Sequence, residues 1–259
     1  MLAPPSTVLV TGASRGLGAV FAERLGARGL RVVLVARSAE ALEAVAETVR
    51  AAGGTAVVVA ADLAVPGAGA ALAARLEAQG ETVDGLVNNA GFGIARPFLD
   101  TAPGDVGGMT ALNVTALTDL TRHLVPGMVA RGRGGVLSVG SVASFVPSPG
   151  FAVYAATKAY VLSFSDALSA ELRGTGVAVT CLCPGPVRTG FAARAGMDDR
   201  FFAGALPAER VVEAGLEAWE AGRRRVVPGW TNKLQTAVTR FVPPGLTLHV
   251  TKRLVQRAG

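Results

Sequence analysis

Only three of the 25 basic residues are lysines, and one of them, Lys158, follows Tyr154 by four positions in "VYAATKAYV" (153–161). Tyrosine is equally scarce, with Tyr154 and Tyr160 the two examples. Four residues apart on a helix, two side chains share one face with Cβ atoms about 5–6 Å apart. A free phenol has a pKa near 10, so it exchanges protons reluctantly at neutral pH, and it needs help to do so (~10). An ammonium about 4 Å away, at an effective dielectric of about 20, contributes roughly 4 kcal/mol, enough to draw the phenol toward the operating pH. Lysine suits this because it is a compact charge whose other donors can grip a sugar hydroxyl. Taken alone, the pair also fits a core aromatic beside a surface lysine. Ser141, which closes the apolar run "GGVLSVGS" (134–141), shifts the balance, because its hydroxyl could polarise a substrate carbonyl.

These residues need a scaffold, and the apolar pattern supplies one. Runs at 7–12, 31–37, 55–63, 83–91, 134–141, 177–185 and 224–229 read as strands. Between them lie helix-period segments such as Gly16 to Arg28 and Ala39 to Ala52. Strands alternating with helices indicate right-handed parallel crossovers, hence a doubly wound α/β sheet with helices on both faces. Ligands of such sheets sit at the carboxyl ends of the strands. The chemistry-bearing residues fall there.

The first such junction is "TGASRGLG" (11–18), where Gly12, Gly16 and Gly18 would let a pyrophosphate approach the N-terminus of a helix. The spacing is G-x-x-x-G-x-G rather than the G-x-G-x-x-G of the usual dinucleotide fingerprint, and a tight strand–helix turn is the alternative. An acid at the end of the second strand would select NAD through the ribose. Here stand Ala36 and Arg37, with Arg15 inside the glycine loop, and two guanidinium groups favour the 2′-phosphate of NADP. The alternative for Arg37 is a solvated strand terminus. Asp62 and Leu63 could hold the adenine, and "NNAG" (88–91) suits backbone packing beside a cofactor.

With these elements in order, the chain resembles the short-chain dehydrogenase/reductase family from about Thr7 to Thr189. The likeness rests on "TGASRGLG", "NNAG", Asn113 in "ALNVTAL", Ser141 thirteen residues before Tyr154, "YAATK", and "PGPVRT" (184–189). It implies a Rossmann-type fold and hydride transfer between NADP(H) and a carbonyl/alcohol pair. By that resemblance Tyr154 donates the proton, Lys158 lowers its pKa and binds the nicotinamide ribose, Ser141 orients the substrate oxygen, and Asn113 holds a water that feeds Lys158. Cofactor contacts are implied for Gly12, Ser14, Arg15, Gly16, Leu17 and Gly18 of the first loop, then Arg37, Asp62 and Leu63. Asn89, Ala90 and Gly91 follow, then Tyr154 and Lys158 again, and finally Pro184, Gly185, Val187 and Thr189. Ser144 is an alternative serine that the family spacing disfavours. A homo-oligomer, dimer or tetramer, is expected on the same ground. The rival reading is a non-catalytic NADP-binding regulatory module.

Substrate contacts are expected from Phe92, Gly93 and Ile94, from Val142 to Gly150, and from an apolar lid about Phe191 to Leu206. The walls suggest a hydrophobic ketone, an aldehyde or a 3-oxoacyl chain. Residues 1–229 then form the catalytic domain, with the lid about 190–207, and 230–259 a basic C-terminal extension. No metal site is expected, and His123 and His249 receive no role.

Composition bounds the rest. The 259 residues are half apolar and carry a net charge of +6. Eight cations and no acid follow Glu220, so the basic character belongs to the tail. That tail could be an amphipathic arm at a membrane surface with Trp230, Phe241 and Leu246 inward, a contact for an anionic carrier group, or packing within an oligomer or against the chain's own body. Nucleic-acid binding is not expected, since no recognition motif accompanies the charge. Cys181 and Cys183 read as small core residues on one strand face. "MLAPPSTVLVTG" lacks a secretory leader and no run approaches a membrane span, so a cytoplasmic protein is expected, with a peripheral membrane contact through the tail left open. For that reason the glycosylation-like "NVT" at 113–115 is set aside.

Overall fold

A computed structural model of the chain describes residues 6–197 and 204–239, together with positions 242, 245 and 248. Among the described residues seven parallel strands form one sheet in the order β3-β2-β1-β4-β5-β6-β7. The strands are β1 (Thr7–Thr11), β2 (Arg31–Ala36), β3 (Thr55–Ala60), β4 (Val83–Asn88), β5 (Gly134–Val139), β6 (Val177–Leu182) and β7 (Arg225–Val226). The strand order reverses at β1, which pairs with β2 on one side and β4 on the other. Each expected run forms a strand, and each ends one to three residues early. Those trailing residues are the loops that carry the site.

Helices cover both faces, as the crossovers require. α1 (Gly16–Gly26), α2 (Ala39–Ala51) and α8 (Ala208–Glu220) pack on one face, burying Phe21, Leu25, Leu42, Val49, Leu216 and Trp219 against Val8, Val10 and Leu34. On the other lie α3 (Ala68–Ala78), α5 (Leu117–Ala130) and α6 (Ala152–Glu171), with Leu72, Leu76, Leu120 and Met128 against Leu9, Val33 and Leu86. Each such side chain, fully buried, contributes about 1.5–3 kcal/mol, so the two apolar layers and not the surface pairs hold the sheet in place. This is the doubly wound Rossmann-type fold.

Three further elements shape the carboxyl edge: α4 (Pro103–Thr110), α7 (Phe191–Ala195) and α9 (Trp230–Val238). α4 continues into α5 through a π-helical turn over Ala111–Ala116, a wider coil that often marks a functional position. α6 begins after "PSPG" (147–150), whose prolines and glycine cannot extend a helix backwards. It buries Tyr154, Thr157, Lys158, Val161 and Ser165, one face at helical spacing. The residues 198–203 of the expected lid, and Phe241, Leu246 and His249 of the tail, lie outside the described residues. His123 does find a partner: its Nε2 is 3.2 Å from Asp119 Oδ1 one turn earlier on α5.

Candidate active site

The glycine loop is held from beneath by β4. Thr11 Oγ1 donates to the Val87 carbonyl at 3.2 Å and accepts from the amides of Asn89 and Ala90, each at 3.0 Å. Asn89 Nδ2 donates back to the carbonyls of Thr11 and Gly12, at 2.9 and 3.3 Å. The Asn89 side chain therefore props the loop from the protein side. Gly12 and Gly16 have φ of +65° and +58°, a region that L side chains rarely enter. A Cβ on Gly18 would lie 2.1 Å from the Gly12 carbonyl oxygen, so only glycine lets α1 start this close to the loop. Arg15, at the N-cap of α1, makes no side-chain cap bond, and no acid stands in the first turn of the helix. Its leading N–H groups face the cradle that the glycines leave, a fit for an anionic pyrophosphate. A Cβ on Gly16 would lie 3.6 Å from Thr189 Cβ, which brings "PGPVRT" over the glycine loop.

Arg15 and Arg37 are both exposed. Arg194 of α7 lies in the field of both: its pKa is lowered by burial first and then by the charges of Arg15 and Arg37. Its guanidinium also lies 4.9 Å from the centre of the Phe92 ring. Sequence reasoning named two arginines here and missed the third, because the contact arises across the lid. Asp62 is exposed and accepts from Ala64 N at 3.0 Å, while Leu63 is buried beside β3.

Ser141, Tyr154 and Lys158 converge at the ends of β5 and α6. Ser141 caps the short 3-10 turn Val142–Phe145, with its Oγ accepting from Ala143 N at 3.1 Å. Ser144, the alternative serine, is buried and accepts from Ser141 N at 3.2 Å, so it serves the turn. Tyr154 is 7% exposed and stacks on Phe151 at 4.3 Å between ring centres, with Phe191 at 5.6 Å. Burial pushes its phenol up to about 12, against a smaller lowering by the Ser141 hydrogen bond.

Burial is thus the first influence on the phenol, ahead of Ser141. Lys158 Nζ sits 5.8 Å from the centre of the Tyr154 ring and donates to the Val139 carbonyl at 2.7 Å. The buried side chain of Lys158 is itself pushed down to about 8 by desolvation, partly offset by Cys181 and Cys183. Low dielectric disfavours both ionised forms at once, raising the phenol and lowering the ammonium.

The lysine shift predicts a gain in stability on its removal. A buried lysine near 8 costs the fold about 3 kcal/mol while both states carry the proton, and freeing the Val139 carbonyl costs about 1. Lys158→Met should therefore raise stability by about 2 kcal/mol at neutral pH. Between pH 8 and 10.5 the unfolded wild-type chain binds more protons than the folded one, so wild-type stability rises with pH. The advantage of the variant must shrink across that window, as urea unfolding at pH 7 and about pH 10 would record.

Asn113 lies in the π-helical turn, and its carboxamide makes three hydrogen bonds to protein. Nδ2 donates to the Phe92 carbonyl at 2.9 Å and to Thr157 Oγ1 at 3.0 Å, and Oδ1 accepts from Phe92 N at 3.0 Å. Buried to 1% exposure, it is no glycosylation acceptor. A Cβ on Gly91 would lie 2.9 Å from Asn113 Oδ1 and 3.6 Å from Lys158 Nζ, so Gly91 sits where these two groups meet. Around Tyr154 the wall is apolar: Met109, Phe151, Ala195 and Met197 are buried with Phe92, Ile94 and Phe191 against them. Met109 and Phe151 were not anticipated, since α4 carries no motif and Phe151 falls one residue past the expected stretch. Gly185 packs on Asn232, and Leu206 pairs with Val187 in an isolated parallel bridge. Cys181 and Cys183 are free, buried and 3.6 Å apart.

An anion cradle at the strand-order reversal and a buried phenol beside a serine hydroxyl place the protein in the dinucleotide-binding α/β class. The chain belongs to the short chain dehydrogenase family, whose family model matches residues 6–199. It is 36% identical over 181 residues to a ketoacyl reductase, HetN, of Nostoc sp., covering 70% of this chain and 63% of that protein. It is 38% identical over 181 residues to an NADP-dependent 3-hydroxy acid dehydrogenase, YdfG, of Salmonella typhi, covering 70% and 72%. The fold superposes with a TM-score of 0.82 on a short-chain dehydrogenase from Sphingobium yanoikuyae in complex with NADPH, at 32% identity, covering 92% of this chain and 96% of that one.

Proposed function

We propose that the chain is an NADP-dependent carbonyl reductase acting on a hydrophobic ketone, aldehyde or 3-oxoacyl substrate. The observation that carries this reading is the buried Tyr154 phenol beside Ser141, inside a wall of Met109, Phe151, Phe191 and Met197. NADPH, when bound, supplies the hydride. The glycine loop and the start of α1 would hold its pyrophosphate, and Arg15 and Arg37 its 2′-phosphate. Two of the relatives or neighbours described above carry NADPH or depend on NADP, which supports the same choice.

The chain's own residues do the proton chemistry. A phenol held near 12 stays protonated through the physiological range, so Tyr154 enters reduction as an acid, with Ser141 orienting the carbonyl oxygen. Lys158, near 8, is the group that can pass a proton on to it at ordinary pH. Asn113 Oδ1 takes one hydrogen bond from Phe92 N and keeps a lone pair for a water on the path to Lys158. The regulatory-module alternative has no observation in its favour, since a sensor needs none of these four side chains. Oligomerisation belongs to the same proposal. Tyr160 and Phe164 stack at 5.8 Å on the outer side of α6, and Tyr160 Oη lies 2.9 Å from Thr118 Oγ1 of α5, a partly exposed seam suited to a second copy.

The test is NADPH and NADH consumption over a panel of 3-oxoacyl thioesters, bulky ketones, aldehydes and diketones. The expected result is turnover on one apolar class, with NADPH preferred. Arg37→Glu should reduce kcat/KM with NADPH by about 10- to 100-fold and leave NADH nearly unchanged, the worth of one charge-assisted phosphate contact. For reduction, kcat/KM should fall as pH rises through about 8, as Lys158 gives up its proton. NADPH binding without turnover on any member of the panel would overturn the assigned substrate classes.

A further inference from the structure

α9 is amphipathic in the reverse sense. Asn232 and Thr236, four residues apart, are its buried side, at 9% and 7% exposure. Trp230, Leu234 and Val238 repeat with the same spacing on the opposite side, at 76%, 57% and 48%. The inward polar groups are satisfied. Asn232 Nδ2 donates to the Pro228 carbonyl at 2.8 Å and the side chain packs on Gly185, while Thr236 Oγ1 donates to the Asn232 carbonyl at 3.0 Å. The helix thus turns its polar face toward the body, where Asn232 meets Gly185, and an apolar stripe is left facing out, which water disfavours.

The sequence on either side of the stripe is cationic. From Ala221 to the last residue every charged side chain is Arg or Lys, eight in all. Arg224 and Arg225 pair with Asp166, whereas Arg223 and Lys233 are exposed with no acid paired to them among the described residues. A second copy seated on α9 about a two-fold axis would set Lys233 and this charge against themselves. An acidic protein would have to supply a matching groove for these three side chains. A lipid surface needs only a stripe headed by tryptophan and a rim of cations.

We propose that α9 is a docking surface for an anionic lipid bilayer, with Trp230, Leu234 and Val238 seated at the headgroup–acyl boundary. The binding is peripheral, since among the described residues no helix is long and apolar enough to cross a membrane. α9 packs beside the Val142–Phe145 turn, so docking would bring that rim of the candidate site to the membrane. The inference does not rest on the proposed activity, and its test does not read it.

The full chain is mixed with phosphatidylcholine vesicles with and without phosphatidylserine, and both sedimentation and tryptophan emission are recorded. Trp219 is buried at 5% exposure, so the signal of Trp230 is the wild-type spectrum minus that of Trp230→Phe. The expected result is binding to phosphatidylserine vesicles alone, weakened by salt, with a blue shift of Trp230 and quenching by brominated lipid. Trp230→Ser with Leu234→Ser should lower the partition constant by about tenfold or more. Equal binding to neutral vesicles, or none to anionic ones, overturns the proposal. A Trp230 emission already blue without vesicles assigns the stripe to the chain's own residues 240–259. A shift that tracks protein concentration assigns it to a second copy, and either outcome also overturns the proposal.

Discussion

Tyr154→Phe is expected to lower carbonyl turnover by about 10³-fold while leaving NADPH affinity within a factor of about two, since general acid catalysis is worth roughly 10²–10⁴. The substitution removes one oxygen and little else. The ring that stacks on Phe151 and touches Phe191 is kept, so the apolar wall should stand. Ser141 keeps its bond from the Ala143 amide and stays in position. The variant should melt at or slightly above the wild-type temperature, because a buried hydroxyl with one partner stabilises little. Stopped turnover with intact nucleotide titration would place the loss at the proton donor. More than a tenth of wild-type turnover would mean that another group supplies the proton.

Gly18→Ala should be the most damaging single methyl group in the nucleotide cradle. The new Cβ would lie 2.1 Å from the Gly12 oxygen and 2.8 Å from its carbonyl carbon, both backbone, and 2.6 Å from Asn89 Nδ2. Backbone on one side and the Asn89 prop on the other leave no flexible atom to yield. Either the loop lifts or α1 withdraws, and both spoil the anion site. Stability should fall by about 1–3 kcal/mol, the usual cost of overpacking. NADPH affinity should fall by more than about 100-fold, because pyrophosphate contacts come from the same backbone. Gly104→Ala is the control. It lies in α4 with open space around its Cβ position, so it should be neutral or stabilise by about 0.5–1 kcal/mol. Nucleotide titration and thermal melts of the two variants side by side separate cradle damage from general loss of glycine.

How much of this could be read in the amino-acid order differs by kind of residue. The seven strands were legible because each is an apolar run bounded by turn residues, and parallel strands buried on both faces carry that pattern. Ser141, Tyr154 and Lys158 were legible through spacing in a chain poor in both tyrosine and lysine. The source of the phenol's pKa was not. Sequence distance put a lysine near the tyrosine, but burial, which raises the one and lowers the other, depends on the wall built by α4, α7 and the Phe151 junction. Asn113 was legible as a residue, but its π-helical setting was not, since its partners Phe92 and Thr157 stand 21 and 44 positions away. Arg194 and Met109 carry no motif and enter only when the lid and α4 meet over Tyr154. The tail was singled out for its charge. That α9 turns its polar side inward follows from the approach of Asn232 to Gly185, which no periodicity within 230–238 could disclose.

The clasp between Thr11 and Asn89 also bears on how the protein comes to be folded. β1 can pair with β2 as soon as both are made, since one short helix separates them. The loop on β1, however, is braced by a side chain 78 positions further on. Bringing such distant segments together is slow, because loop-closure entropy is lost before any contact rewards it. A collapsed chain with helices and a partial sheet would therefore still lack the nucleotide cradle. Recovery of dinucleotide affinity during refolding then marks the moment when β4 docks beside β1. A ligand present at that step acts by mass action on the docked state alone.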